Sequence, residues 1–167
     1  MSDKKKQSIM IIAVVITMIC VSVGYTLSSA KINLTNAATM INKIWDVKIA
    51  TISSVQTEGY GKNLHSNIEN DFEARFNIQL NEIGDKVTYT INIKNDGNVK
   101  AILKDIDLIT KIKTKDIVYK IEGLNEGDVL EPGEAQMFTL TAKYNENAKE
   151  QNILTNEIIL SLEYEQK

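Results

Sequence analysis

The chain contains few of the residues that usually build reactive sites. Its 167 residues include one cysteine, one histidine and one proline. These counts exclude a disulfide framework and the usual Cys/His zinc sites, and they exclude a Pro-rich linker. The eight glycines are scattered singly, so no Gly-rich phosphate loop is present. We therefore expect a protein that is not an enzyme and that uses no cofactor or metal.

Charged residues are missing from one part of the chain and dense in the rest. The 24 residues of Gln7–Ala30 carry no charge. The 137 residues of Lys31–Lys167 hold 16 basic and 21 acidic side chains, a formal charge of −5. That balance excludes a basic surface for nucleic acid, so no nucleic-acid partner is expected. The length of the charged part fits one domain.

The uncharged part predicts a membrane helix over residues 9–30, preceded by a basic cytoplasmic tail over residues 1–8. The apolar run Ile9–Leu27 would span about 28 Å as a helix, close to the hydrocarbon thickness of a bilayer. Lys4–Lys6 precede this run, so the positive-inside rule places the N-terminus in the cytoplasm and the rest outside a cell membrane that the chain crosses once. Membrane lipid is then one partner. The predicted membrane-spanning residues include Ile9, Ile12, Val15, Ile19 and Val23.

A cleaved signal peptide is the alternative for the same segment. The small residues of Ser28-Ser29-Ala30 fit a cleavage site, and cutting near Ala30 would secrete the remainder. The apolar run is longer than the usual signal-peptide core, which favours retention. Cys20 follows Ile19 rather than a small residue, so we interpret it as an apolar helix residue and not a lipidation site. Both alternatives place the charged part outside the membrane.

Hydrophobic residues recur with a period of two beyond residue 45, which predicts β-strands. A strand that starts at Trp45 changes phase near Ile52, which predicts a bulge. Ile102–Ile109 fits either a helix or a strand, and we predict a strand because a turn signal precedes it. The other predicted strands cover Phe72–Leu80, Val87–Lys94, Ile117–Ile121, Phe138–Tyr144 and Ile158–Tyr164.

Turn signals separate these strands. Asn95-Asp96-Gly97-Asn98 predicts a tight hairpin, and Glu131-Pro132-Gly133-Glu134 predicts a type II turn. About seven strands predict an all-β fold, namely an immunoglobulin-like antiparallel sandwich over residues 45–167. A jelly roll is the main alternative.

Residues 31–44 lie between the predicted helix and the sandwich. They predict a tether or an edge strand, and they are also a possible assembly arm that adds to the sheet edge of a neighbouring subunit. The apolar residues of this possible arm are Ile32, Leu34, Met40 and Ile41. Trp45, the only tryptophan, is interpreted as a core anchor rather than a ligand platform.

The remaining polar features favour solvated surface over chemistry. His65 is predicted in a polar loop. The acidic groups Glu69–Asp71, Asp105–Asp107 and Glu126–Asp128 offer oxygen ligands, but none has the twelve-residue EF-hand loop of a calcium site. The alternating lysines Lys111, Lys113 and Lys115 are typical of a solvated or edge-protecting strand face.

Several short motifs resemble exported proteins of low-GC Gram-positive bacteria. Gly24-Tyr25-Thr26, Asn36–Thr39 and Trp45-Asp46-Val47 resemble a group of immunoglobulin-like proteins in which a Trp-Asp-Val strand closely follows a signal or anchor segment. Tyr89–Gly97 and Leu130–Glu134 are similar to elements of bacterial surface sandwich domains, including the camelysin-like matrix-fibre family.

The resemblance implies a pilus-like, matrix or adhesion role at the cell surface. Protein partners, or self-association through sheet edges, would then carry the function. The end of the chain, Glu165-Gln166-Lys167, has no hydrophobic sortase tail, so covalent wall attachment is not expected. The alternative function is a ligand-binding or accessory subunit of a membrane complex.

Overall fold

The computed structural model describes residues 42–166. The predicted cytoplasmic tail, the predicted membrane helix and nearly all of the predicted tether or arm lie outside the described residues. No helix long and apolar enough to cross a bilayer is found within residues 42–166. The described chain forms nine strands: β1 (Val47–Glu58), β2 (Lys62–Asn70), β3 (Glu73–Leu80), β4 (Lys86–Asn95), β5 (Ala101–Thr110), β6 (Ile117–Glu122), β7 (Val129–Leu130), β8 (Ala135–Tyr144) and β9 (Leu154–Gln166).

The strands form two antiparallel sheets, consistent with a β-sandwich. The four-stranded sheet has the order β1-β4-β8-β6, and the five-stranded sheet has the order β2-β3-β9-β5-β7. Strands β3, β4, β8 and β9 occupy central positions and alternate buried with half-exposed residues along most of their length. This alternation is the period-two pattern of the sequence, so the all-β prediction is confirmed.

The hydrophobic core lies between the two sheets. Its largest fully buried side chains include Tyr89, Tyr144, Phe76 and Phe138. Phe76 belongs to the five-stranded sheet and Tyr89 to the four-stranded sheet, and their ring centroids are 4.4 Å apart. The Tyr89 hydroxyl donates a hydrogen bond of 2.8 Å to Asn63 Oδ1. Burial raises the pKa of Tyr89, so this phenol stays neutral.

The predicted phase change in β1 is a real irregularity. The pairing of β1 with β4 shifts register between Ile49 and Thr51, and again between Ile52 and Ser54. Each shift inserts one residue, which is the definition of a bulge. The strand predictions at Ile102–Ile109 and Ile117–Ile121 are also confirmed, by β5 and β6.

Two strands were missed by the count of seven. β2 holds few apolar residues and is exposed for most of its length, so it shows no period-two pattern. It is a strand because β3 pairs with it from Lys62 to Asn70. The prediction that His65 lies in a loop is therefore wrong, because His65 lies on β2 opposite Asn77. β7 has only two residues and is too short for any periodicity.

The hairpin predicted at Asn95–Asn98 is also wrong. This segment joins β4 to β5, which lie in different sheets, so it crosses the sandwich. Gly97 does not have a positive φ. A Cβ at Gly97 would lie 2.4 Å from the carbonyl oxygen of Ile44, so glycine is required there for a close backbone approach.

The turn at Glu131–Glu134 has the predicted type II features. Gly133 has a φ of 80°, which the third position of a type II turn requires. The Glu134 amide donates to the Glu131 carbonyl over 3.0 Å. This turn carries the chain from β7 in one sheet to β8 in the other.

Candidate functional site

Of the site residues predicted from the sequence, the structure describes only Trp45. Trp45 is half-buried just before β1 and packs against the core. The possible arm residues and the predicted membrane-spanning residues, from Ile9 to Ile41, lie outside the described range.

Two of the three acidic groups considered for calcium, Glu69–Asp71 and Glu126–Asp128, contain carboxylates that bond to nearby residues. Glu69 Oε1 lies 2.7 Å from Arg75 Nε, and hydrogen bonds from Asn67 and Arg75 lower the pKa of Glu69. Asp128 Oδ2 accepts hydrogen bonds of 2.9 Å from the Asn125 amide and from Gln136 Nε2. Within residues 42–166, no three His, Cys, Asp or Glu side chains are grouped so that they could hold a metal ion.

Asp85 is a buried carboxylate that ties two turns together. Its oxygens accept hydrogen bonds from the backbone amides of Tyr60, Asn81 and Glu82, at 2.8, 2.8 and 2.9 Å. Burial alone would raise the pKa of Asp85, but hydrogen bonds from the Glu82, Tyr60 and Asn81 amides outweigh burial and lower it. A charged Asp85 thereby fastens the β1–β2 turn to the β3–β4 turn.

Two buried asparagines play the same structural role elsewhere. Asn95 Nδ2 donates to the carbonyls of Val99 and Leu130, at 2.8 and 3.0 Å. Asn156 Oδ1 accepts from the Ile112 amide at 2.9 Å, and its Nδ2 donates to the Ile112 carbonyl at 2.8 Å. Asn95 thus links the β4–β5 connection to β7, and Asn156 satisfies the backbone of Ile112 in the segment that follows β5.

A concave surface lies between β5 and β6. It is a cleft of about 430 Å³ with Leu108 and Thr110 on one wall, Ile117 and Tyr119 on the other, and the loop with Lys113–Lys115 at one end. The lining offers apolar surface and ammonium groups, but no paired acid and base within the described residues.

The sheet edge beside this cleft is exposed. β7 pairs only with Ala101 and Ile102 of β5. Asp128 and Gly127 then bond to the backbone of Leu103. On the side of β5 that faces away from β9, no strand in the described part of the chain pairs with residues 104–110. We call this length the free edge of β5.

Lys104, at the start of the free edge, pairs with Glu165 at 2.7 Å, but the charges that follow it along this edge have no ion-pair partner among the described residues. Within the described residues, Asp105, Asp107, Lys111 and Lys113 form no ion pair. By contrast, lysines on the outer face of the four-stranded sheet meet carboxylates, as Lys120 meets Glu122 at 2.6 Å. Sequence reasoning missed this site, although the order of charges in Asp105–Lys113 is visible there.

Comparison with known proteins adds no relative. No family model, no curated protein sequence and no solved structure matches the chain.

Proposed function

We propose that this chain is a non-enzymatic structural protein of the cell surface, which works by assembly or adhesion through its sheet edges. The observation that supports this most directly is the free edge of β5, an exposed strand edge flanked by unpaired charges. Unpaired strand edges can add a further strand from another chain.

The use of polar residues supports the same proposal. The buried polar side chains of the described domain, Asp85, Asn95 and Asn156, bond to backbone groups of connecting segments. They are engaged in holding the fold. Surface shape and strand edges are then the features left to carry function.

The strand order supports an immunoglobulin-like sandwich. In that fold the first, second, fifth and fourth strands form one sheet, and the third, sixth and seventh form the other. With the β2–β3 hairpin and short β7 set aside, β1-β4-β8-β6 follows the first order, and β5-β9 follows the start of the second. β3 takes the place beside β9, antiparallel to it, that the seventh strand takes in immunoglobulin domains.

The location we propose is the outer side of a cell membrane. The apolar run Ile9–Leu27, preceded by lysines, would hold the sandwich there as a single-pass anchor. The intact mass of the protein isolated from membranes tests this. A mass that includes residues 1–30 supports the anchor, whereas loss of about the first 30 residues would make the protein secreted.

Electron microscopy tests the assembly itself. Cells that make the full chain would be labelled with gold-conjugated antibody against the sandwich, and cells without the gene would serve as the control. We expect label along filaments or matrix at the surface. Isolated label with only monomers after detergent extraction would contradict the proposal. A stoichiometric membrane partner recovered in a pull-down would instead favour the accessory-subunit alternative.

A further inference from the structure

The charges around the free edge of β5 are arranged as a mirror-like series. Asp105 and Asp107 precede Ile109, and Lys111 and Lys113 follow it at the same spacing. Each carboxylate on the N-terminal side of Ile109 therefore has an ammonium group at the same distance on the C-terminal side. Two such segments placed antiparallel, with Ile109 opposite Ile109, would set each Asp107 opposite a Lys111.

The side chains of this series are accessible. Asp105, Asp107, Lys111 and Lys113 are exposed, and Ile109 retains 50% of its surface. Asp105 Oδ1 accepts a local hydrogen bond from the Ile106 amide. Each of the four charges is thus available to a partner, and Ile109 supplies an exposed apolar centre between them.

The backbone of β5 is oriented to accept a second strand. Lys111 donates its amide hydrogen to the Glu157 carbonyl of β9 over 2.9 Å. Because backbone groups alternate in direction along an antiparallel strand, Ile109 and Asp107 also point toward β9. The amides and carbonyls of Leu108 and Thr110 then point toward the free edge, where no described strand meets them.

We propose that the free edge of β5 is an interface between two copies of this chain. The two β5 strands pair antiparallel about a two-fold axis at Ile109, so that the five-stranded sheet continues into that of the second copy. Leu108 of each copy then exchanges backbone hydrogen bonds with Thr110 of the other. Asp107 lies opposite the second copy's Lys111, and the Asp105 and Lys113 side chains extend the same attraction.

The charge order selects this arrangement over others. Opposite charges across a strand pair stabilise it, and like charges directly opposite destabilise it. A parallel, in-register pair would set Asp107 against Asp107 and Lys111 against Lys111. The antiparallel pair places unlike charges together at each of these positions, and the two-fold axis makes every contact twice.

The inference rests on the proposed function only in naming the partner, a second copy of the chain. The geometry of the interface depends only on β5 and the residues that follow it. Filaments on cells without pairing of β5 would overturn the inference and leave the proposed function in place. Pairing of β5 on cells that carry no filaments would support the inference and contradict the proposed assembly function.

Cross-linking of the full chain in detergent micelles tests the pairing. Ile109→Cys would be made in a Cys20→Ser background, since Cys20 is the only native cysteine. Residues opposite each other in a non-hydrogen-bonded antiparallel pair have Cα atoms about 4.5 Å apart, within the range of a disulfide. We expect mild oxidation to give a disulfide-linked dimer. Val118→Cys, equally exposed at 50% on the β6 edge, is the matched control and should remain monomeric.

Charge reversal tests the register. Asp107→Lys and Lys111→Asp should each reduce the cross-linked fraction of Ile109→Cys, since both pairs between residues 107 and 111 become repulsive. We expect the dimer dissociation constant to rise at least about tenfold. The double variant Asp107→Lys/Lys111→Asp restores unlike pairs and should recover the dimer.

Two results would overturn the inference. One is an Ile109→Cys yield no higher than that of Val118→Cys. The other is a yield that the single reversals leave unchanged. Circular dichroism of each variant shows whether the sandwich is intact, and recovery in the double variant separates a lost contact from a lost fold.

Discussion

Polar side chains differ between two regions of the molecule, the segments that connect the two sheets and the free edge of β5. At the connections, Asp85, Asn95 and Asn156 are buried, and each is bonded to backbone at several atoms. Along β5, Asp107 and Lys111 are exposed and pair with no described residue. Buried polar groups that lose a partner destabilise the fold, whereas exposed charges that gain one stabilise a complex. Stability and association should therefore respond to different mutations.

Replacing Asn95 should have the largest effect on stability. Asn95→Ala removes the side-chain donor to the carbonyls of Val99 and Leu130 and frees the segment that crosses to β5. We expect the free energy of unfolding to fall by about 3 kcal/mol. Urea unfolding of the full chain in detergent, followed by Trp45 fluorescence, measures it.

Asn147→Ala is the matched control, because Asn147 is exposed and only its backbone amide is hydrogen-bonded. It should change the free energy of unfolding by less than about 0.5 kcal/mol. Equal losses in the two variants would show that burial of Asn95 does not matter.

Gly59→Ala should have the next largest effect. Gly59 has a φ of 67°, and a Cβ there would lie 2.2 Å from Asp85 Oδ1. The added methyl group must displace the carboxylate that fastens the turn. We expect a loss of about 2 kcal/mol in the free energy of unfolding.

Gly133→Ala separates crowding from backbone strain. Gly133 has a φ of 80°, but a Cβ added there would meet no atom within 4 Å. Only the strain of about 1 kcal/mol should remain. Thermal unfolding of both variants checks the order, and a larger loss at Gly133 would contradict it.

Asp85→Asn should make the stability of the fold less dependent on pH. The folded state lowers the pKa of Asp85 below its ordinary value of 3.8. The stability it contributes is therefore complete above that ordinary value and is lost as pH falls through the folded pKa. At pH 7 the variant should be less stable by about 1.5 kcal/mol.

The difference between wild type and Asp85→Asn should narrow between about pH 5 and pH 2. Urea midpoints measured across this range test the sign. A difference that widens toward low pH would mean that the carboxylate is not held in its charged form.

Asp107→Asn should have the smallest effect on stability. Asp107 is exposed and makes no ion pair with a described residue, so the free energy of unfolding should change by less than about 0.5 kcal/mol. The same variant should weaken the proposed dimer. Sedimentation of the full chain in detergent measures association. A destabilised monomer would contradict the expectation that Asp107 affects association but not stability.

The sequence predicted the central strands because they carry their own signal. Phe76 and Ile78 on β3, like Tyr89 and Ile91 on β4, alternate with polar residues and point into one core. β2 could not be found this way, because β3 provides its hydrogen bonds and little of it is buried. The strand at Ile102–Ile109 was predicted correctly from a hairpin signal that was itself wrong, since Asn95 serves a crossing between sheets.

The candidate site shows the same division. The order of charges from Asp105 to Lys113 is written in the sequence, and so is the exposed Ile109 between them. Without the fold, these charges predict only a solvated strand face. They become an interface candidate because β9 pairs with one side of β5, whereas on the other side the pairing with β7 ends at Ile102 of β5.

The sequence by itself determined the period-two strands, the bulge in β1 and the turn at Glu131–Glu134, because each depends on neighbours along the chain. The tertiary structure decided which strands share a sheet, why Gly97 must be glycine and which edge of β5 is free. Those features depend on contacts between residues far apart in sequence. Local pattern cannot specify such contacts, since backbone hydrogen-bonding groups are the same at nearly every residue.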